Sequence, residues 1–316
     1  MQGFLNLNKP IGFTSHDCVG KLRRLLGLRR IGHGGTLDPM ATGVLPIAFG
    51  NATRLLQYLP TAKAYQATIR LGIRTATDDI TGAAIATQAV PNLSLEQVKQ
   101  ALGQFEGRIQ QIPPNFSAIQ VAGQRLYDLA RRGEILDVPA RPVEIFKLEV
   151  LDWRAGDFPE LDLAIACGPG TYIRAIARDL GIVLATGGTL TALSRTASCG
   201  FQLSESYSFE TLAACLQSGS LTPIEPTIAL AHLPLVQLEA ETAWRWCCGQ
   251  PTPVETVADL DPTHQILRVH DQAGNLLGIG EQTAGLLVAK VVMPESQQRT
   301  QLARPIRAEH QIQTQS

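Results

Sequence analysis

The patterning of the 316 residues predicts an α+β fold built on a mixed, mostly antiparallel sheet, followed by a small β-rich module. Three observations carry that expectation. Segments of period two and period 3.6 are mixed without the regular strand–helix–strand beat of a parallel sheet. An apolar content of 45% is enough to bury a sizeable core. Pro223, Pro226 and Pro234 gather around a boundary near residue 230, beyond which the segments become short and strand-like.

Taken in order, Leu5 and Leu7 alternate with Asn6 and Asn8, a half-buried strand stopped by Lys9-Pro10 and Gly12. A helix follows, capped by Thr14 or Ser15, striped by Val19, Leu22, Leu25 and Leu26, and ended by Gly27. Val44, Leu45, Ile47 and Phe49 mark a buried strand, and Tyr65 to Leu71 alternates as another, with Tyr65 at its end. Ser94 and Gln97 form a capping box ahead of Val98, Leu102 and Phe105, and Gln124 to Arg132 also has helical spacing. Strands are expected over Val143–Trp153 and Leu161–Cys167, a helix over Tyr172–Leu184 after Gly168-Pro169-Gly170, and a short strand over Leu190–Leu193.

In the last part, Leu235–Leu238, Ile266–Val269, Asn275–Ile279 and Leu286–Val292 read as strands, one pair hinged at Asp271-Gln272-Ala273-Gly274. The division expected is therefore a catalytic domain over 1–230, a β-rich domain over 231–294, and a polar, Gln-rich disordered tail over 295–316.

A formal charge of −1 gives no global attraction to a polyanion, so any nucleic-acid site must come from local clustering. Such a cluster exists: residues 1–35 hold Lys9, Lys21, Arg23, Arg24, Arg29 and Arg30 against one acid, Asp17. The six cysteines form no C-x-x-C, which argues against a metal centre or a disulfide framework. Neither a membrane-spanning stretch nor a signal-peptide pattern is found, so a cytoplasmic protein is expected.

The most informative run is Gly32-His33-Gly34-Gly35-Thr36-Leu37-Asp38-Pro39-Met40-Ala41-Thr42-Gly43-Val44-Leu45-Pro46. Gly, Pro, Asp and Thr are what any surface turn uses. This run, however, is longer than a turn needs, carries a histidine, and leads into a buried strand, which is where functional loops sit.

The run resembles the catalytic motif of the bacterial tRNA pseudouridine synthase B family. Further motifs agree in order: Asn8-Lys9-Pro10 with Gly12 and Ser15; Tyr65 before Ile69-Arg70-Leu71-Gly72; Ser117-Ala118 with Gly123, Arg125, Tyr127 and Ala130-Arg131; and Gly170-Thr171-Tyr172-Ile173-Arg174. The resemblance implies a pseudouridine synthase core, a C-terminal PUA-like RNA-binding domain, and isomerisation of the uridine at position 55 in the TΨC loop of tRNA. It implies no cofactor and no metal, with the T arm of tRNA as partner, no guide RNA, and a monomeric enzyme.

Carried onto this chain, the resemblance makes Asp38 the nucleophile or base and Arg174 its counter-ion. Tyr65 stacks on the extruded base and is a candidate to help remove the C5 proton, while Tyr172 and Leu193 line the pocket. His33 contacts RNA near the flipped nucleotide, and Lys9 with the basic helix contacts phosphates. In the last domain only Arg245, Arg268 and Lys290 are basic, so a purely stabilising module stays open there.

Several positions depart from the family pattern: Gly168-Pro169 stands for a Ser-Lys-like pair, Gln120 for a lysine, Ser194 interrupts a Leu-Arg-Arg run, and Gly34 replaces a frequent threonine. These remove positive charge or loosen the loop without touching the catalytic residues. Glycosidase chemistry would require a second carboxylate across the bond. Asp78 and Asp79 are the candidates, but Thr77-Asp78-Asp79-Ile80-Thr81-Gly82 reads as a turn. The alternative from another class is a non-catalytic RNA-binding or tRNA-folding protein.

Overall fold

In a computed structural model, residues 2–117, 119–121, 123–134, 136–253 and 265–293 are described. The chain divides into two units, one of residues 5–48 and 60–222, the other of residues 1–4, 49–59 and 223–316.

In the first unit, helix α1 (Ser15–Leu26) begins where Thr14 accepts from the Asp17 backbone N–H and Asp17 returns a bond to the Thr14 N–H, and it ends at Gly27 in the left-handed region. Seven strands make the main path of a nine-stranded sheet: β1 (Gly3–Lys9), β2 (Thr42–Phe49), β3 (Lys63–Leu71), β4 (Gly107–Gln111), β5 (Arg141–Arg154), β6 (Glu160–Cys167) and β7 (Gly188–Ser198). Their order is β1-β2-β7-β3-β6-β5-β4. The pairs of β7 with β3, β3 with β6, β6 with β5, and β5 with β4 are antiparallel, whereas β2 and β7 run parallel. The mixed, mostly antiparallel α+β architecture is thus present.

Helices α2 (Leu95–Leu102), α3 (Ile173–Val183) and α4 (Phe209–Ser218) accompany the sheet. Val98 and Leu102 of α2 and Ile173, Ile176 and Leu180 of α3 join Ile69, Leu71, Leu161, Leu163 and Ile165 in one buried cluster. At Gly181 in α3 a Cβ would collide with the backbone of Gly187 and Gly188, so only glycine allows the helix to lie this close to the start of β7. That contact fixes the helix whose first turn carries Arg174.

Strand β7 is far longer than the Leu190–Leu193 expected from the sequence. Its later residues, Ser194, Arg195, Thr196 and Ser198, are polar, and a fully buried arginine breaks the apolar alternation by which strands are recognised. The sequence reading also missed β4, the hairpin of Ile73–Thr75 with Ala84–Thr87, α4, and the 3-10 helix Gly50–Tyr58.

In the second unit the strands β8 (Leu235–Leu238), β9 (Thr252–Pro253), β10 (Gln265–Asp271), β11 (Leu276–Thr283) and β12 (Leu286–Val292) form a sheet in the order β8-β10-β11-β12-β9. The Asp271 hinge is a real turn: its carboxylate accepts from Asn275 N–H and side-chain amide, both at 2.8 Å. Helix α5 (Ala240–Cys247), unforeseen because tryptophan and cysteine are modest helix formers, buries Trp246 fully. Residues 49–59 belong to this unit, and Arg54 there donates to the Val292 carbonyl at 3.0 Å. The expected disordered tail, 295–316, lies outside the described residues. Among those described, no helix is long and apolar enough to cross a membrane.

Candidate active site

The Asp38 loop is glycine-rich yet pinned along its length. Ser15 Oγ accepts from the Leu37 N–H at 2.8 Å and donates to the Leu37 carbonyl at 3.3 Å. Gly12 N–H donates to Pro39 O at 2.8 Å, and Gly34 N–H to Pro46 O at 2.8 Å. Leu37 and Ala41 are buried on either side, which leaves the Asp38 side chain 37% exposed at the surface of an otherwise anchored turn.

Lys9 belongs to this support. It is 0% exposed, and its Nζ donates to Phe13 O at 2.6 Å, Pro10 O at 3.0 Å and Pro39 O at 3.4 Å. The phosphate contact expected of Lys9 is therefore not one this conformation makes: its ammonium is turned into backbone carbonyls beneath the loop. Exposed cations are instead presented by Arg23, Arg24, Arg29 and Arg30, on and just after α1. Lys21 lies over the Phe209 ring at 4.0 Å.

Arg174, in the first turn of α3, meets Asp38 with Nε at 3.0 Å from Oδ2. The rest of its guanidinium is held by Phe116 O at 2.8 Å, Thr77 O at 3.2 Å, and Asp79 Oδ2 at 3.5 Å. Asp79 is 4% exposed, and its other oxygen accepts from Thr77 Oγ1 at 2.7 Å and the Thr81 N–H at 2.9 Å. The Thr77–Gly82 segment is the turn the sequence suggests, and it also carries a second carboxylate to the arginine. Nothing in the local pattern announces that reach, because the partners are far apart in the chain.

Burial raises the Asp38 pKa above the ordinary carboxylate value, Arg174 opposes the rise, and the charge of Asp79 adds to it. The protein around the loop desolvates the carboxylate even though its side chain keeps an open side, so both descriptions hold: enclosed below, accessible above.

Tyr65, 7% exposed, is the third residue of β3 rather than its first. Leu193 on β7 is 8% exposed and shares a buried cluster with Tyr65 and Leu37. Tyr172 is the half-buried residue just before α3, and burial pushes the pKa of both phenols up. The Asp38 charge adds to the rise at both phenols.

Gln111 of β4, which the sequence reading missed, brackets Tyr172 by accepting from its N–H at 2.8 Å and donating to its carbonyl at 3.1 Å. His33 is half-buried, with its pKa lowered by burial and then by Arg195, so the ring is neutral near pH 7. Its Nδ1 has no hydrogen-bond partner among the described residues. Arg195 is a further residue that the sequence reading passed over.

An accessible aspartate paired with a buried arginine, next to the cluster that holds Leu37, Tyr65 and Leu193, is a candidate active site built on one carboxylate. The chain belongs to the TruB family of pseudouridylate synthases. The family model for the N-terminal domain matches residues 23–173, and that for the pseudouridine synthase II TruB C-terminal region matches residues 234–293. A protein named tRNA pseudouridine synthase B from Nostoc sp. is 58% identical, over 92% of this chain and 98% of its own length. One from Acaryochloris marina is 55% identical over 93% and 99%. Among solved structures, an H/ACA RNP bound to a substrate RNA containing 2'-deoxyuridine contains a chain with a TM-score of 0.69 at 24% identity, covering 92% of this chain and 85% of that one.

Proposed function

We propose that the protein converts the uridine at position 55 of tRNA to pseudouridine, without a guide RNA, as a monomer in the cytoplasm. The observation that carries this reading is the 3.0 Å pair between Arg174 and an accessible Asp38. In the reaction the C1′–N1 bond breaks, the uracil turns, and a C1′–C5 bond forms. N1 gains a proton and C5 loses one, so mass and oxidation state are unchanged.

Asp38 supplies the anionic oxygen, as nucleophile at the sugar or as base. Its oxygen must be ionised in a site that disfavours charge, and the guanidinium of Arg174 stabilises that form by a charge-assisted bond. The extruded base stacks on Tyr65, a contact of roughly 1–3 kcal/mol. Tyr172 and Leu193 close the pocket and keep water from the detached uracil. His33, half-buried in the run before Asp38, is the candidate contact to the neighbouring RNA.

The exposed arginines on and after α1 give the backbone contacts. The second unit is the weaker candidate for RNA, because Lys290 is paired with Glu281, and Arg268 donates to the Thr227 carbonyl.

The test is nucleoside analysis of an unmodified tRNA transcript incubated with the purified chain alone. One uridine should become an isomer of equal mass. Free uracil would mean a hydrolase, unchanged RNA a binding or folding protein, and conversion only with added guide RNA a guided relative.

A further inference from the structure

Arg195 is 0% exposed and has no acidic group within ion-pair distance among the described residues. A buried, unpaired cation is costly, and an apolar side chain would seal the sheet better. Its guanidinium is spent on the catalytic loop instead: Nε donates to Val44 O at 2.7 Å, Nη2 to Gly35 O at 3.1 Å, and Nη1 to Thr36 O at 3.3 Å. These carbonyls lie on both sides of Asp38, so one planar fork spans the loop's entry and exit.

In the sheet, Arg195 is the direct partner of Gly43 on β2 and of Tyr65 on β3. A Cβ at Gly43, whose φ is +101°, would collide with the Arg195 backbone, so the parallel pairing at this point requires glycine. On the other side Tyr65 is its cross-strand neighbour, and the positive charge of the guanidinium acts on the Tyr65 phenol, opposing the rise that burial imposes on its pKa.

We propose that Arg195 is the positioning residue that holds the Tyr65 phenol and the Asp38 loop in one register, so that carboxylate and ring meet the same nucleotide already aligned. The inference rests on the catalytic reading of Asp38 given above. Lysine cannot replace the residue, since an ammonium lacks the rigid fork that reaches three carbonyls together beside the Tyr65 ring.

The experiment is a double-mutant cycle in single-turnover conversion of a tRNA transcript, with wild type, Arg195→Lys, Tyr65→Phe and the double variant, and with tRNA affinity measured alongside. Arg195→Lys should slow conversion by about tenfold or more, while the tRNA Kd stays within about threefold. In the Tyr65→Phe background the same change should slow it by no more than about threefold, because the coupling partner is already gone.

A wild-type rate for Arg195→Lys, or equal proportional slowing in both backgrounds, overturns the proposal. Asp38→Asn run in parallel separates the two levels. If it stays active, the catalytic reading falls and the proposal with it; if it is dead while the cycle is additive, only the proposal falls. Should Arg195→Lys not fold, the buried guanidinium resonance of 15N-arginine-labelled wild type must shift in Tyr65→Phe, and an unmoved signal overturns the proposal.

Discussion

Arg174 and Asp38 form an ion pair of 3.0 Å whose arginine side chain is 5% exposed and whose aspartate is 37% exposed. The cation is locked inside the protein and the anion is offered outward. That asymmetry suits a carboxylate that must stay charged while a nucleotide covers it.

The fork of Arg174 is engaged on every nitrogen, by Asp38, Asp79, Thr77 O and Phe116 O. Arg174→Lys keeps the charge and loses the geometry, so kcat should fall by about 10²- to 10³-fold, the scale of losing one preorganised electrostatic contact. RNA affinity should change little. Single-turnover rates with binding curves check this, and a rate near wild type would count against the pairing.

Asp79 both anchors Arg174 and lifts the Asp38 pKa. In the proposed reaction the active form of Asp38 is the carboxylate, and its pKa is raised, so the acid limb of the wild-type rate profile should lie above the ordinary value of 3.8. Asp79→Asn removes a negative neighbour, so the limb should move to lower pH. The plateau should drop about tenfold as Arg174 loses a partner. A limb that moves to higher pH contradicts this arrangement.

Gln111, 2% exposed, holds both backbone groups of Tyr172. Gln111→Ala leaves those groups without partners, and the lost bonds should lower unfolding free energy by about 1–3 kcal/mol. Urea titration with an unchanged slope is the measurement. A stability equal to wild type would show that the bracket is dispensable.

Lys9 and Arg24 separate loop support from RNA contact. Lys9→Met should lower the urea midpoint, since three carbonyls lose their donor, and leave the salt slope of tRNA binding unchanged. Arg24→Ala should leave stability unchanged and reduce that slope by about one. The reverse pattern would restore Lys9 as the phosphate contact.

Much of the candidate site was legible because the residues proposed for it sit in motifs whose order is specific: the Asp38 loop, Tyr65, and Tyr172 with Arg174, of which the structure pairs Asp38 with Arg174. The ends of α1 were legible for a local reason, since Thr14 and Gly27 act within their own turns, while the return bond from Asp17 shows only in the structure. Asp79 and Arg195 were hidden because their meaning lies in pairing across the sheet and between distant loops. A polar residue in a turn and an arginine in a strand look ordinary until their partners are placed. Lys9 misled for the opposite reason: a lysine near a basic helix reads as a surface charge, and only the fold shows it capped by carbonyls. The helix Ala240–Cys247 was missed because its stability comes from burying Trp246, which propensity does not register.

The most direct test of the central claim is the single-turnover yield of pseudouridine from a tRNA transcript with Asp38→Asn beside wild type, with tRNA binding measured on the same preparations. The account requires that the variant bind tRNA within a few-fold of wild type and form no product. Product formed by Asp38→Asn at a rate near wild type would contradict it.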